Sequence, residues 1–349
     1  MTGKRGRARA GRFRLAWAAG LAVPLLSSCA KTGITSKAHQ VHDLYRVIFT
    51  LALPVFVAVW GLLLWNVLRY RKRDDSPAPQ RVGGPVTIAG FFLIGAVIIA
   101  VLYPFGERTL ARVDALQKNA QVNLKLEGFQ WEWTAYYQNE GLVVSGKTLK
   151  QPLVFELPVD EPVRIQLVSR DVMHEFFLPD LLFMRNAIPG HPNVFTFTPT
   201  KIGTFNGQCA QFCGLWHSRM TFVLKVVSPA DYVDWVKKER RAVFLLNCPT
   251  TNQVTIVAKN ISWNTNCLAV PAGASVPLTV TNDDAGINHN FAIWDSPLQK
   301  TQYFQTGKFS GVATDHSNIP SLPPGKYYFQ CNVHGPAMSG VYIVRKGSS

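Results

Sequence analysis

Apolar and polar positions fall into three regimes along this chain. Val47–Leu68 and Pro85–Tyr103 are uncharged apolar runs, each close to the ~20 residues a helix needs to cross a hydrocarbon core. Two transmembrane helices are expected there. From about Val122 the pattern changes to short alternating runs, such as Val122-Asn-Leu-Lys-Leu126 and Val163-Arg-Ile-Gln-Leu167, separated by Pro, Gly and Asp. Period-two alternation with that punctuation predicts an antiparallel β-sandwich. Ser228-Pro-Ala-Asp supplies a Ser N-cap and a Pro in the first turn, predicting a helix that closes this domain. After Cys248 the strand pattern resumes in Val254–Ala258, Ser275–Val280 and Gly340–Val344, leaving about 100 residues for a second small sandwich. The expected fold is a two-helix transmembrane hairpin followed by two all-β Greek-key domains. Its segments are a signal (1–28), a tether with the two membrane helices (29–104), a first β domain with its helix (105–247) and a second β domain (248–349).

Charge refines this picture. The formal net charge is +15, and residues 1–30 hold six Lys/Arg without an acid. Residues 105–349 are nearly balanced, with twenty-two basic against eighteen acidic side chains. The excess therefore reads as targeting and topology signals, and a nucleic-acid partner is not expected. The N-terminus has a basic start, an apolar stretch and small residues before Cys29, as a secretory signal does. Leu26-Ser27-Ser28-Cys29 also resembles the lipobox of bacterial lipoproteins. Ordinary cleavage that leaves a spare thiol, or an uncleaved anchor, are the other readings. Five basic residues between Arg69 and Arg81 place that loop in the cytoplasm by the positive-inside rule. Everything after Phe105 would then face an extracytoplasmic, oxidising space of a bacterial cytoplasmic membrane.

Two stretches carry candidate chemistry. Gly207-Gln-Cys209-Ala-Gln211-Phe-Cys213-Gly-Leu-Trp-His217-Ser-Arg-Met220 puts two thiols, an imidazole and a thioether within one loop, and His174 stands upstream at an expected strand end. Thiolate, imidazole and thioether together suit copper, whereas zinc has little use for a methionine. Two thiolates four positions apart can each bridge two ions, which makes a dinuclear centre plausible; a Cys209–Cys213 disulfide is the competing reading.

The pattern Cys-x3-Cys-x3-His-x2-Met after an upstream His resembles the CuA loop of cytochrome c oxidase subunit II, over roughly residues 40–240. The resemblance implies copper ligation by His174, His217, Cys209, Cys213, Met220 and the backbone carbonyl of Gln211. Gly128-Phe-Gln-Trp131-Glu-Trp133 resembles the family's aromatic patch, which makes Trp131 the residue that receives electrons from cytochrome c. Read without the family, Trp131 and Trp133 at i, i+2 suit one-face packing in a sandwich. Gln211 and Asn186 stand where most members have Glu and Asp, so the family's magnesium site is not expected. Arg81-Val-Gly-Gly-Pro85 also lacks the carboxylate that many members use for proton uptake before the second membrane helix.

In the second domain, His289 and then Cys331-Asn-Val-His334-Gly-Pro-Ala-Met338 supply two imidazoles, one thiolate and a thioether, the set of a type 1 blue-copper site. One cysteine implies one copper. This arrangement resembles plastocyanin-like cupredoxins over about residues 250–346, which implies a cupredoxin fold for both β domains. Cys248 and Cys267 are either a disulfide or two buried free thiols.

Together these resemblances imply the electron-input subunit of a respiratory oxidase. It would take electrons from cytochrome c or a small copper protein, relay them through the fused copper domain, and deliver them to a haem-bearing catalytic subunit I among other oxidase subunits in the lipid bilayer. The copper subunit of a nitric oxide reductase and a membrane-tethered copper carrier are the alternative readings.

Overall fold

The structure is a computed structural model that describes residues 32–71, 83–147, 150–244 and 248–346. The expected signal, Cys29 and most of the basic loop lie outside the described residues. Two units make up the chain, one holding the apolar helices and one running from Leu116 onward together with Ile34–Ser36.

In the first unit, α1 (Ser36–Arg69) and α2 (Pro85–Asp114) contain the two apolar runs. Both helices are longer than those runs. α2 runs on past Tyr103 through Pro104 and Gly106, and the good helix formers Glu107, Arg108, Ala111 and Arg112 carry it to Asp114. Trp60, Leu64, Phe91 and Leu93 are exposed, as expected of spans whose apolar surface faces lipid. Lys37 at the start of α1 donates its ammonium to the carbonyls of Val113 (2.6 Å) and Ala115 (2.7 Å), at and just past the end of α2.

In the second unit, the first sandwich has ten strands: β1 (Val122–Phe129), β2 (Glu132–Tyr137), β3 (Leu142–Ser145), β4 (Leu153–Pro158), β5 (Val163–Ser169), β6 (His174–Phe177), β7 (Met184–Ala187), β8 (Asn193–Phe197), β9 (Gly203–Cys209) and β10 (Thr221–Val227). They form sheets of order β3-β2-β1-β5-β8 and β4-β10-β9-β6-β7. The expectation of purely antiparallel sheets is corrected here, because β1 pairs parallel with β5 and β4 parallel with β10. Each parallel pair joins strands far apart in sequence, which gives the chain length that a crossover requires. Alternation does the sorting: Val163, Ile165 and Leu167 are fully buried while Gln166 between them is exposed. Between the sheets, Phe176 and Phe222 stack with centroids 4.6 Å apart and Trp133 meets both edge-on, an arrangement that aromatic quadrupoles favour. α3 (Pro229–Phe244) is capped by Ser228, whose Oγ accepts the N–H of Asp231 at 3.1 Å. Tyr232 and Trp235 on α3 pack on Tyr137.

The second sandwich repeats the plan with β11 (Val254–Ala258), β12 (Cys267–Pro271), β13 (Val276–Asn282), β14 (Asn288–His289), β15 (Ala292–Trp294), β16 (Gln302–Gln305), β17 (Phe309–Ser310), β18 (Ala313–Ile319), β19 (Gly325–Cys331) and β20 (Gly335–Arg345). Its sheets run β11-β13-β18 and β12-β20-β19-β15-β16, with β14 and β17 as a short separate pair. Ile256, Leu278, Val280, Phe291, Phe329 and Tyr342 fill the space between them. A disulfide joins Cys248 to Cys267, fastening the segment after α3 to β12. β20 also lies against β2 and β3 of the first sandwich.

Candidate metal centres

Topology gathers the first cluster. β9 is flanked by antiparallel β10 and β6, so the end of β9 and the beginnings of its two neighbours share one rim. Cys209 ends β9, His174 begins β6 and Met220 immediately precedes β10. The intervening loop turns through Cys213 and a single 3-10 turn at His217–Arg219, and is closed by the N–H of Cys209 donating to Met220 O at 2.9 Å.

All six expected ligand residues converge there. The two sulfurs lie 3.9 Å apart as free thiols. His174 Nδ1 is 3.9 Å from Cys209 Sγ, and His217 Nδ1 is 3.5 Å from Cys213 Sγ. Met220 Sδ is 3.8 Å from Cys213 Sγ, and the carbonyl of Gln211 is 3.2 Å from Cys209 Sγ. Each sulfur therefore has its own imidazole, and the thioether and the carbonyl stand by different thiols. That donor set fits a pair of copper ions bridged by two thiolates. The hydrogen bond from Cys213 lowers Cys209, and the same contact raises Cys213, so the pair favours one thiolate at Cys209.

Asp171 was not singled out from the sequence. Its Oδ1 sits 2.9 Å from His174 Nε2, and the carboxylate also accepts the N–H groups of Gln130 and Val172, each at 2.7 Å. Burial pushes this carboxyl up, but these hydrogen bonds outweigh it and hold it below its usual range. Burial likewise opposes a charged His174, and the contacts with Asp171 and Cys209 prevail to raise it. An Asp three residues before a ligand His was the available signal, and it is a weak one.

Trp131 and Trp133 part company. Trp133 is fully buried, with its ring edge-on to His174. Trp131 is half-buried and donates Nε1–H to the carbonyl of Cys213 at 3.1 Å, beside Gln130 Nε2 at 2.7 Å. Gly214 permits this approach: it has φ +115°, and a Cβ there would come within 3.2 Å of the Trp131 ring. Asn186 lies exposed on β7 opposite Glu175.

The second cluster uses the same device. Cys331 ends β19, the loop turns back into β20, and His289 lies just before β15, which pairs with β19. Cys331 Sγ is 3.8 Å from His289 Nδ1 and 3.6 Å from His334 Nδ1. Met338 is buried in the same core, its carbonyl accepting Trp263 Nε1–H at 2.9 Å. Asp284 stands to His289 as Asp171 does to His174: Oδ2 is 3.0 Å from Nε2, while the backbone N–H groups of Asn260 and Ile261 occupy the carboxylate as well. Burial, with His289 and Arg170 nearby, drives His334 down to about 3 and keeps it a neutral imidazole. Burial also raises Cys331; its proton must leave when a metal arrives. Among the described residues, these two clusters are the groups of three or more His, Cys, Asp or Glu that converge as a metal site would.

Comparison with known proteins bears on the first cluster. Residues 122–227 match the family described as cytochrome C oxidase subunit II, periplasmic domain. A probable cytochrome c oxidase subunit 2 of Streptomyces avermitilis is 32% identical over 246 residues, spanning 59% of this chain and 77% of that relative. Among solved structures, the periplasmic domain of oxidase subunit II (CoxB) of Bradyrhizobium japonicum is 29% identical, with TM-score 0.34, covering 37% of this chain and 99% of that one. Reduced auracyanin from Roseiflexus castenholzii is 17% identical, with TM-score 0.26, covering 28% of this chain and 98% of that one. The family match ends before the second cluster begins.

Proposed function

Because the chain belongs to the cytochrome c oxidase subunit 2 family, we propose that its two ligand clusters are copper sites working in series. His174, Cys209, Gln211, Cys213, His217 and Met220 hold the family's dinuclear CuA centre, and His289, Cys331, His334 and Met338 hold one type 1 copper. As subunit II the chain is the electron-input part of a membrane oxidase complex, an oxidoreductase subunit with no oxygen-reducing site of its own. Family membership weighs against the nitric oxide reductase and copper-carrier readings.

The observation that carries the proposal is the pair of unjoined thiols 3.9 Å apart with an imidazole at each sulfur. Copper bound by such soft, closed ligand sets supplies one-electron storage with little ligand motion. The protein does the rest. Asp171 and Asp284 fix which nitrogen of His174 and His289 faces the ligand cluster. The Cys213 carbonyl, tied to Trp131, gives a hydrogen-bonded contact between an aromatic side chain at the rim and a residue whose thiol would hold copper. Trp131 is accordingly the point where a soluble cytochrome c or small copper protein delivers electrons directly, and the second sandwich is a built-in alternative donor. Both sandwiches lie on the extracytoplasmic face, as the basic 69–81 loop implies.

Copper analysis and electron paramagnetic resonance on the purified full chain test this. Two coppers with a delocalised mixed-valence signal plus one with a type 1 signal are expected. A chain that gives the type 1 signal alone would refute the dinuclear site, and one that gives the mixed-valence signal alone would refute the second.

A further inference from the structure

The loop that carries Cys331 and His334 ends against a side chain of the first sandwich. Arg170 Nη1 donates to the carbonyl of Asn332 at 3.4 Å, and a Cβ placed on Gly335 would collide with the same guanidinium. Asn332 follows Cys331 and Gly335 follows His334, so Arg170 touches this loop at two points, each one residue from a ligand. On its other side Arg170 is joined by a peptide bond to Asp171, whose carboxylate holds His174 Nε2. A single dipeptide thus reaches both clusters.

The guanidinium is held in place. Glu127 pairs with it, Tyr136 Oη accepts from Nη2 at 3.4 Å, and the Phe129 ring lies under it at 5.2 Å. Only 18% of the side chain is exposed. A planar fork of donors can serve Glu127, Tyr136 and the Asn332 carbonyl together, in a way that an ammonium point charge cannot. His334 itself is 6% exposed, so this edge of the second cluster offers little surface to an outside protein.

We propose that Arg170 is a positioning residue that clamps the Cys331–Gly335 loop onto the Arg170-Asp171 backbone, linking the two ligand clusters through the Asn332–Arg170 and Asp171–His174 hydrogen bonds. This rests on reading both clusters as copper sites. One electron is lost at the second cluster and one is gained at the first, with no bond made or broken. A soluble one-electron donor of the small haem- or copper-protein class refills the second cluster, approaching by a surface other than the His334 edge.

The test uses the copper-loaded full chain and its Arg170→Lys and Arg170→Gln variants, following the rate at which an electron placed on the second site by a photoreductant reaches the first. Both variants should keep both paramagnetic signals and slow intersite transfer on the order of tenfold or more, as loss of a positioning contact does to a geometry-limited step. Unchanged transfer in both variants overturns the clamp. Absence of transfer in the unaltered chain overturns instead the relay reading beneath it. Hydrogen exchange on the metal-free chain is a second readout: amides of residues 332–335 should exchange faster in both variants, and unchanged protection there also overturns the clamp.

Discussion

Asp171 accepts the Nε2–H of His174 at 2.9 Å, which turns Nδ1 toward Cys209. A carboxylate can only accept, so this contact fixes the tautomer as well as the ring angle. Asp171→Asn keeps the size and loses the obligate acceptor. Copper at the dinuclear site should be held about 10–100-fold less tightly, as competition with a chelator would show, while the type 1 signal persists.

The two clusters share no ligand, so they should fail independently. Cys213→Ser should abolish the delocalised signal and leave the type 1 signal; Cys331→Ser should do the reverse. Spectra of the two variants, taken with oxidase activity from a soluble donor, also separate a relaying second domain from a passive one. Activity that survives Cys331→Ser undiminished would mean that electrons enter at Trp131 alone.

Glu132 is 3% exposed, and burial pushes its carboxyl up to about 8, against hydrogen bonds from the backbone N–H groups of Trp133 and Leu153. A raised folded-state value means that the folded chain binds the proton more tightly than the unfolded chain. The resulting stability is full below the unfolded value of 4.5 and is lost as pH rises through about 8. Glu132→Gln should therefore leave thermal stability near pH 4 unchanged and raise it at pH 8, by on the order of a few kcal/mol. Melting curves at the two pH values check the sign.

The Cys248–Cys267 bridge closes a loop with sequence separation 19. Opening it with a Cys248→Ala/Cys267→Ala pair should cost the second sandwich about 2–4 kcal/mol. Calorimetry should show the transition that carries the type 1 chromophore shifting down while the one that carries the dinuclear chromophore holds.

The ligand runs are legible in the sequence because sulfur and imidazole donors crowd into single loops, and because a methionine beside them argues for copper. The two long apolar helices are equally plain, since apolar runs of that length match what a helix needs to cross a hydrocarbon core. The partners of those ligands are harder to see. Asp171 and Asp284 are ordinary acids until the backbone bends each toward a histidine, and they stand at different spacings, three and five residues before it. The parallel pairings of β1 with β5 and β4 with β10 leave no local trace, because alternation reports which face a residue takes and not which strand lies beside it. Arg170 is the extreme case, since its Asn332 contact lies 162 positions away. Trp131 and Trp133, indistinguishable by pattern, are told apart only by the loop that meets one of them.

The paired carboxylates have a consequence for what this chain transports. Asp171 and Asp284 each take a histidine Nε2–H, and each is further occupied by two backbone N–H groups. A hydrogen held against an acceptor so fully engaged has no reason to leave when the oxidation state beside it changes. On the copper reading proposed above, a change of charge at either cluster leaves both of these histidine protons where they are.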